Sequence, residues 1–220
     1  MQTKDPLLRR RIAMAVAGMA LTGISIGFFK RSMFGVDPYQ CFAGGIANVV
    51  PLDFGTVYML VNLVQLGVVF LLDRRYIGIS TFINLFLLGY MVEFSESLLA
   101  RWFGELAMPG RILFLAVGIV VTCIAAALYY TADLGVSTYD AVSLVWSQKQ
   151  TKLPFAACRV CSDFVCVLLG LTLCLLGGYS LKQVGSVLGV GTIITAFFMG
   201  PLIGFFNRRA AEPFLRGRGA

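Results

Sequence analysis

Apolar runs alternate with short polar or charged breaks along the chain, and six of these runs are long enough to cross a bilayer as helices. A helix rises about 1.5 Å per residue and the hydrocarbon core is about 30 Å thick. The six predicted transmembrane segments are Ile12 to Phe29, Gly55 to Leu72, Ile77 to about Val92, Ile112 to Tyr130, Phe155 to Leu176 and Val184 to Phe206. The pattern predicts an all-α polytopic membrane protein, with residues 1–220 as a single membrane domain and a flexible C-terminal tail over residues 210–220.

The order of long and short segments occurs twice in the chain. Residues 34–40 (FGVDPYQ) return as residues 134–140 (LGVSTYD), and residues 79–89 resemble residues 190–200. The first repeat is predicted over about residues 12–100 and the second over about residues 111–207. Each repeat contains three transmembrane segments, so the two copies enter the bilayer from opposite sides. The chain is therefore predicted to contain two inverted three-helix repeats, an arrangement that secondary transporters commonly use.

The repeated turn predicts a sharp reversal followed by a capped helix. Gly35 and Gly135 are predicted to end their helices at positive φ, which glycine adopts without steric cost. Asp37 and Ser137 are predicted to cap the short helices that follow, with Pro38 at the first helical position of the first copy.

The two short helices, Pro38 to Val50 and Thr138 to Trp146, rise too little to cross the bilayer. Two arrangements are open for them. They are re-entrant, with their N-termini inside the membrane and available to a polar or anionic ligand, or they lie flat at the two interfaces with Tyr39, Tyr139 and Trp146 as aromatic anchors.

Composition supports a membrane protein and indicates its orientation. The chain is 58% hydrophobic and 13% charged, its net charge is +7, and its mean hydropathy is +0.84. Lys and Arg cluster at the ends of apolar runs, which is typical of membrane orientation and argues against a nucleic-acid partner. The distribution predicts a multi-pass membrane protein with both termini cytoplasmic. The expected partners are the lipid bilayer and an unidentified small-molecule substrate, and homo-oligomerisation is left open.

Ionisable and polar residues inside the apolar runs are the candidates for function. Arg159 and Asp163 are four residues apart on one helix face, so they form either a substrate site or a self-neutralised pair. Asn62 and Asn84 are central in their segments, where amides usually form hydrogen bonds between helices. Ser162 occupies the position of the second repeat that matches Asn62. The substrate-pathway candidates are Asp37, Tyr39, Gln40, Asn62, Asn84, Tyr139, Asp140, Arg159, Ser162 and Asp163.

Catalytic chemistry is not expected. The chain has no histidine, and its six cysteines lie in or beside apolar runs, where inert thiols are the expected state. Cys158 and Cys161 have a metal-binding or redox spacing, but they share their helix with cysteines that point in other directions. We therefore expect no metal, no cofactor and no enzymatic activity.

The paired turns, Gly35-Val-Asp-Pro-Tyr-Gln40 and Gly135-Val-Ser-Thr-Tyr-Asp140, resemble those of the YczE/YyaS/YitT family of bacterial integral membrane proteins. The Gly55-Thr56 opening of the next segment adds to this resemblance, which covers most of the chain. It implies a transport protein of the bacterial cytoplasmic (inner) membrane, without an assigned substrate. The predicted function is thus a secondary transporter or exporter of an unidentified small molecule, working by alternating access where the two inverted repeats meet. The alternative is a membrane accessory or scaffold protein without transport activity.

Overall fold

The computed structural model describes residues 7–150, 153 and 155–216, and every regular element in this part of the chain is helical. A continuous helix covers residues 79–103 and contains a π-helical turn over residues 84–88. The helices are α1 (Leu8–Ser32), α2 (Pro38–Val49), α3 (Phe54–Leu72), α4 (Ile79–Ile83), α5 (Gly89–Phe103), α6 (Met108–Ala132), α7 (Thr138–Val145), α8 (Phe155–Leu176), α9 (Leu181–Val187), α10 (Val190–Phe206) and α11 (Glu212–Arg216).

Five of these helices are long and apolar enough to cross a membrane, and they contain 19 to 25 residues each. They are Leu8–Ser32, Phe54–Leu72, Ile79–Phe103, Met108–Ala132 and Ala157–Leu176. At about 1.5 Å per residue the shortest still rises about 28 Å. The chain is thus an all-helical protein whose apolar helices are compatible with a multi-pass membrane protein, and five of the six predicted segments are confirmed as long apolar helices.

The sixth predicted segment, Val184 to Phe206, is wrong as one continuous helix. The backbone is extended at Leu188 and Gly189, which separates α9 from the 17-residue α10. At this break the Gly191 amide donates to the Phe34 carbonyl at 2.7 Å. The break therefore lies where the backbone of a distant turn docks, which local sequence does not reveal.

Two further segments are more regular than predicted. The helix that begins at Ile79 continues to Phe103, well beyond the predicted end of this segment at about Val92. The predicted flexible tail is also wrong up to residue 216, because a π-helical turn (Asn207–Ala211) and α11 follow α10 there. Ala211 is fully buried against the α1 and α6 side chains, so burial of apolar surface orders this segment.

Helix α1 lies at the centre of the bundle and packs closely on α5 and α6 through glycines. A β-carbon on Gly18 would lie 2.9 Å from the Ala125 carbonyl oxygen of α6, and one on Gly23 would lie 2.5 Å from the Met91 β-carbon of α5. A β-carbon on Gly27 would likewise lie 2.9 Å from the Ser95 β-carbon, so the Gly23-x-x-x-Gly27 face lets α1 approach α5 closely.

The two short helices meet end to end in the interior. Helix α2 packs along α8, and α7 packs against α3 and α8. The rings of Tyr39 and Tyr139, each the second residue of its helix, stack with centroids 4.7 Å apart. Helices lying flat at opposite interfaces would hold these rings tens of ångströms apart. The stacking thus favours the re-entrant arrangement, and α2 and α7 are short half-helices whose first turns meet.

Gly35 and Gly135 both have φ of +103°, as predicted, but they do not end the preceding helices themselves. Helix α1 ends at the left-handed Met33 and α6 ends at the left-handed Asp133, each two residues earlier. Each glycine instead lies in a turn whose backbone is hydrogen-bonded to the start of a distant helix, and we call each of these two contacts a joint.

The first joint is formed by residues 34–36 against residues 187–192. Val36 donates its amide hydrogen to the Val187 carbonyl at 3.0 Å, and Gly191 donates to the Phe34 carbonyl at 2.7 Å. The Thr192 hydroxyl donates to the Val36 carbonyl at 2.7 Å. These bonds satisfy the backbone on both sides of the α9–α10 break.

The second joint repeats these bonds with residues 134–136 against residues 76–81. Val136 donates to the Tyr76 carbonyl at 3.3 Å, and Ser80 donates to the Leu134 carbonyl at 3.0 Å. The Thr81 hydroxyl donates to the Val136 carbonyl at 2.7 Å. In both joints, the turn after the first helix of one half binds the start of the last helix of the other half.

Candidate functional site

A charged cluster of Asp140, Arg159 and Asp163 lies beside the two facing N-termini. The Arg159 guanidinium bonds Asp140 through one nitrogen and Asp163 through Nε, the latter at 3.3 Å. The guanidinium carbon also lies 4.2 Å from the centroid of the Tyr139 ring, whose hydroxyl donates to Asp163 at 2.7 Å. Arg159 and Asp163 come from one turn of α8, as predicted, and α7 supplies Asp140 and Tyr139.

Asp140 serves the turn and the charged cluster at once. One carboxylate oxygen accepts from the Ser137 hydroxyl at 2.8 Å and from the Tyr130 hydroxyl at 3.5 Å. The other oxygen receives Arg159. The Ser137 hydroxyl oxygen accepts the Asp140 amide at 3.1 Å, so the predicted cap on α7 is confirmed.

Asp37 caps α2 in the matching position. Its carboxylate accepts the Gln40 amide at 3.1 Å, which confirms the predicted cap. Asp37 also interacts electrostatically with Arg159 and Asp163. The capping residue of α2 is therefore coupled to the charged cluster beside α7. Helix N-termini carry a partial positive charge, and Asp37 and Asp140 offset it at the two facing ends.

Two amide side chains of α3, Asn62 and Gln65, form hydrogen bonds to the half-helices α2 and α7. Gln65 accepts hydrogen bonds from the Tyr39 hydroxyl and from the Thr138 hydroxyl, both at 3.3 Å. Thr138 also donates to Asn62, whose amide donates to the Tyr58 carbonyl at 2.7 Å. Gln65 and Thr138 were not among the predicted site residues, although Gln65 is three residues from Asn62 on the same apolar helix.

The remaining candidates lie at the edge of this network or outside it. Ser162 pairs with Ser143 at 3.2 Å on the α7–α8 contact. Asn84 lies apart from this network, in the π-helical turn. Its amide nitrogen lies 3.5 Å from the Met19 sulfur, and its buried amide oxygen has no hydrogen-bond partner among the described residues. Gln40 points into a separate cavity.

Two cavities adjoin the network without merging into it. A cavity of about 370 Å³ lies between α8 and the α9–α10 break, and apart from Asp163 its walls are mainly apolar. A second cavity, of about 470 Å³, lies between α1, α2 and α9 and contains Lys30, Arg31 and Gln40. Asn62, Tyr139, Asp140 and Ser162 line neither of these two cavities, whereas Asp163 lines the first, so the candidate residues do not share either cavity.

Neither metal binding nor disulfide formation is indicated in the described part of the chain. It contains no group of three or more His, Cys, Asp or Glu side chains arranged to hold a metal. All six cysteines lie in this part, they form no disulfide, and five are buried while Cys161 is exposed.

These features define an all-helical protein with a partly buried charged and hydrogen-bonded centre among its apolar helices. The chain belongs to the family described as "Family of unknown function (DUF6198)", whose model matches residues 9–208. It is also similar to a protein of Haemophilus influenzae described as "Uncharacterized protein", with 25% identity over 197 residues, 90% of this chain and 83% of the relative. No solved structure matches the chain. These matches do not confirm the resemblance to the YczE/YyaS/YitT family, which stays a prediction.

Proposed function

We propose that this protein is a secondary transporter of a small molecule in the bacterial cytoplasmic membrane, and that its centre is the meeting point of α2 and α7. The observation that carries this proposal is the partly buried charged cluster of Asp140, Arg159 and Asp163 at two facing half-helix N-termini. Ionisable groups at membrane depth are costly and usually mark a pathway. Discontinuous helices that meet near the midplane are a recurrent way for transporters to present backbone groups to a substrate.

The two joints support an inverted relation between the halves. Each joint uses the same three hydrogen bonds, and each half contributes one turn and one helix start. In this arrangement α9 and α10 together form the sixth crossing, as a broken helix. The placement of Lys and Arg then puts both termini in the cytoplasm.

The closed network suggests how the pathway is blocked. The stacked Tyr39 and Tyr139 rings close the centre, and Arg159 holds α7 to α8 through Asp140 and Asp163. Transport requires the halves to rock about the joints, with Arg159 exchanging carboxylate partners as the rings separate. The resting structure is then an occluded state, which is why the candidate residues share no open cavity.

The alternative of an accessory or scaffold protein has one observation in its favour, since a network with no open chamber needs no pathway. Cys166 separates the two functions because it is a native thiol in the cluster that contains both stacked tyrosines. The other five cysteines are replaced by alanine, and a membrane-impermeant thiosulfonate reagent is applied to intact cells and to inverted vesicles. A transporter is expected to expose Cys166 to both sides over time. If Cys166 fails to react from one or both sides but reacts fully after denaturation, the result contradicts transport.

Two exposed positions serve as controls and test the orientation. In a variant lacking native cysteines, Gln148→Cys is expected to react only from the cytoplasmic side and Glu105→Cys only from the outer side. Reaction of both positions from the same side refutes the inverted arrangement.

A further inference from the structure

The cavity of about 470 Å³ between α1, α2 and α9 collects buried polar atoms that lack partners. Eight such side-chain atoms occur among the described residues, and three belong to residues of this cavity: Arg31 Nε, Gln40 Oε1 and Asn48 Nδ2. Gln40 is only 4% exposed. Buried polar groups are normally hydrogen-bonded, so three unpaired groups around one cavity point to a ligand that pairs with them.

The cavity has a positive charge that the protein does not neutralise. Lys30 is paired with Glu96 at 2.7 Å, and its ammonium also lies 4.1 Å from the Phe54 ring centroid. Arg31 donates to the Gly104 carbonyl and pairs with no carboxylate among the described residues. One guanidinium is thus left with donors available, and guanidinium favours carboxylate or phosphate oxygens.

From this geometry we propose that the cavity binds a small organic carboxylate that also carries a hydrogen-bond donor such as a hydroxyl. Arg31 pairs with the carboxylate, Gln40 accepts from the donor, and Asn48 donates to a ligand oxygen. The volume is within the range of small-molecule sites. This inference names the substrate class of the proposed transporter and rests on that function for any role in transport, but the binding itself does not require transport.

The cavity follows the length of α2, because Gln40, Gly44, Ala47 and Asn48 of that helix line it together with Arg31 of α1. A solute bound there lies beside one of the two short helices whose tyrosine rings close the centre.

Binding is measured by isothermal titration calorimetry on the purified full chain in detergent, with lactate, malate and gluconate as probes. Propionate and succinate lack the hydroxyl, and lactamide and glucose lack the charge. At least one hydroxycarboxylate is expected to bind, with its matched analogues weaker by about 10-fold or more. Arg31→Gln is expected to weaken binding about 10–100-fold, the range of one charged hydrogen bond, whereas the exposed Arg101→Gln leaves it unchanged. Gln40→Leu is expected to erase the preference for malate over succinate.

Several outcomes overturn the proposal. These are absence of binding by every probe at about 10 mM, equal binding of charged and neutral probes, and unchanged affinity in folded Arg31→Gln. If Arg31→Gln does not fold, as judged by size-exclusion chromatography, Gln40→Leu and Arg31→Lys decide, and unchanged affinity and selectivity in both refutes the assignment.

A lipid phosphate is the competing source of the anion. Native mass spectrometry after reconstitution with phosphatidylglycerol or phosphatidylcholine separates the two: Arg31-dependent retention of phosphatidylglycerol, without carboxylate binding, overturns the solute site. Carboxylate binding by a protein whose Cys166 never reacts keeps the site and refutes transport instead.

Discussion

Replacing Gly35 by alanine is expected to destabilise the protein strongly, because strain and close packing coincide there. Its φ of +103° disfavours any side chain, at a cost of about 1–3 kcal/mol. A β-carbon would also lie 2.5 Å from the Gly189 amide nitrogen and 3.1 Å from its Cα. Backbone atoms cannot rotate away, and overpacking of this kind costs about 1–3 kcal/mol. The expected loss of unfolding free energy is therefore about 2–6 kcal/mol.

The loss is measured by thermal unfolding of the detergent-purified chain, followed with a thiol-reactive fluorophore that reports exposure of the buried cysteines. For a chain of this size, 1 kcal/mol corresponds to about 2–4 °C in Tm, so Gly35→Ala is expected to lower Tm by at least about 4 °C. Gly67→Ala is the matched control, because nothing lies within 4 Å of its added carbon and the helix gains up to about 1 kcal/mol. A Tm for Gly35→Ala within about 1 °C of the wild type refutes the reasoning.

The same unfolding assay checks three further predictions. Thr81→Val removes the 2.7 Å hydrogen bond across the second joint and leaves a buried carbonyl unpaired, at an expected cost of about 1–3 kcal/mol; an unchanged Tm contradicts it. Gly45→Ala is expected to destabilise, because its added carbon meets a carbonyl oxygen of α8 at 2.9 Å, whereas Gly44→Ala, in open space, is not; equal values count against the α2–α8 packing. Asp37→Ala is expected to cost about 0.5–2 kcal/mol as a lost cap, while Asp53→Ala, whose side chain forms no cap bond, changes Tm little; the reverse order is incompatible with the capping geometry.

Features set by neighbouring residues were predictable from the sequence. Long apolar runs gave five of the six predicted crossings as helices, and the caps at Asp37 and Ser137 depend on residues only three positions away. The positive φ of Gly35 and Gly135 is equally local.

Features set by distant residues were not predictable. The break at Leu188 and Gly189 lies in a continuous apolar run, and its cause is Phe34, more than 150 positions earlier. The order in residues 210–216 likewise comes from packing against α1 and α6, which no local pattern records.

The contacts of the candidate site are likewise partly local and partly between distant residues. The pairing of Arg159 with Asp163 follows from one helical turn, but its link to Asp140 requires knowing that α7 lies beside α8. Asn84 had the same sequence signal as Asn62, yet Asn62 bonds to Thr138 because α3 packs against α7, whereas Asn84 lies in the π-helical turn beside Met19 of α1.

The two joints impose an order on synthesis of the protein. The second joint can close as soon as residue 136 has been made, since its partners at residues 76–81 are already present. The first joint spans 156 positions between Val36 and Thr192, so it waits until the start of α10 leaves the ribosome. During that interval the turn at Gly35 lacks its docking partner and α2 lacks α8. The N-terminal half therefore completes its folding only after nearly the whole chain is made, which makes the early bundle the stage most dependent on chaperone or insertase protection.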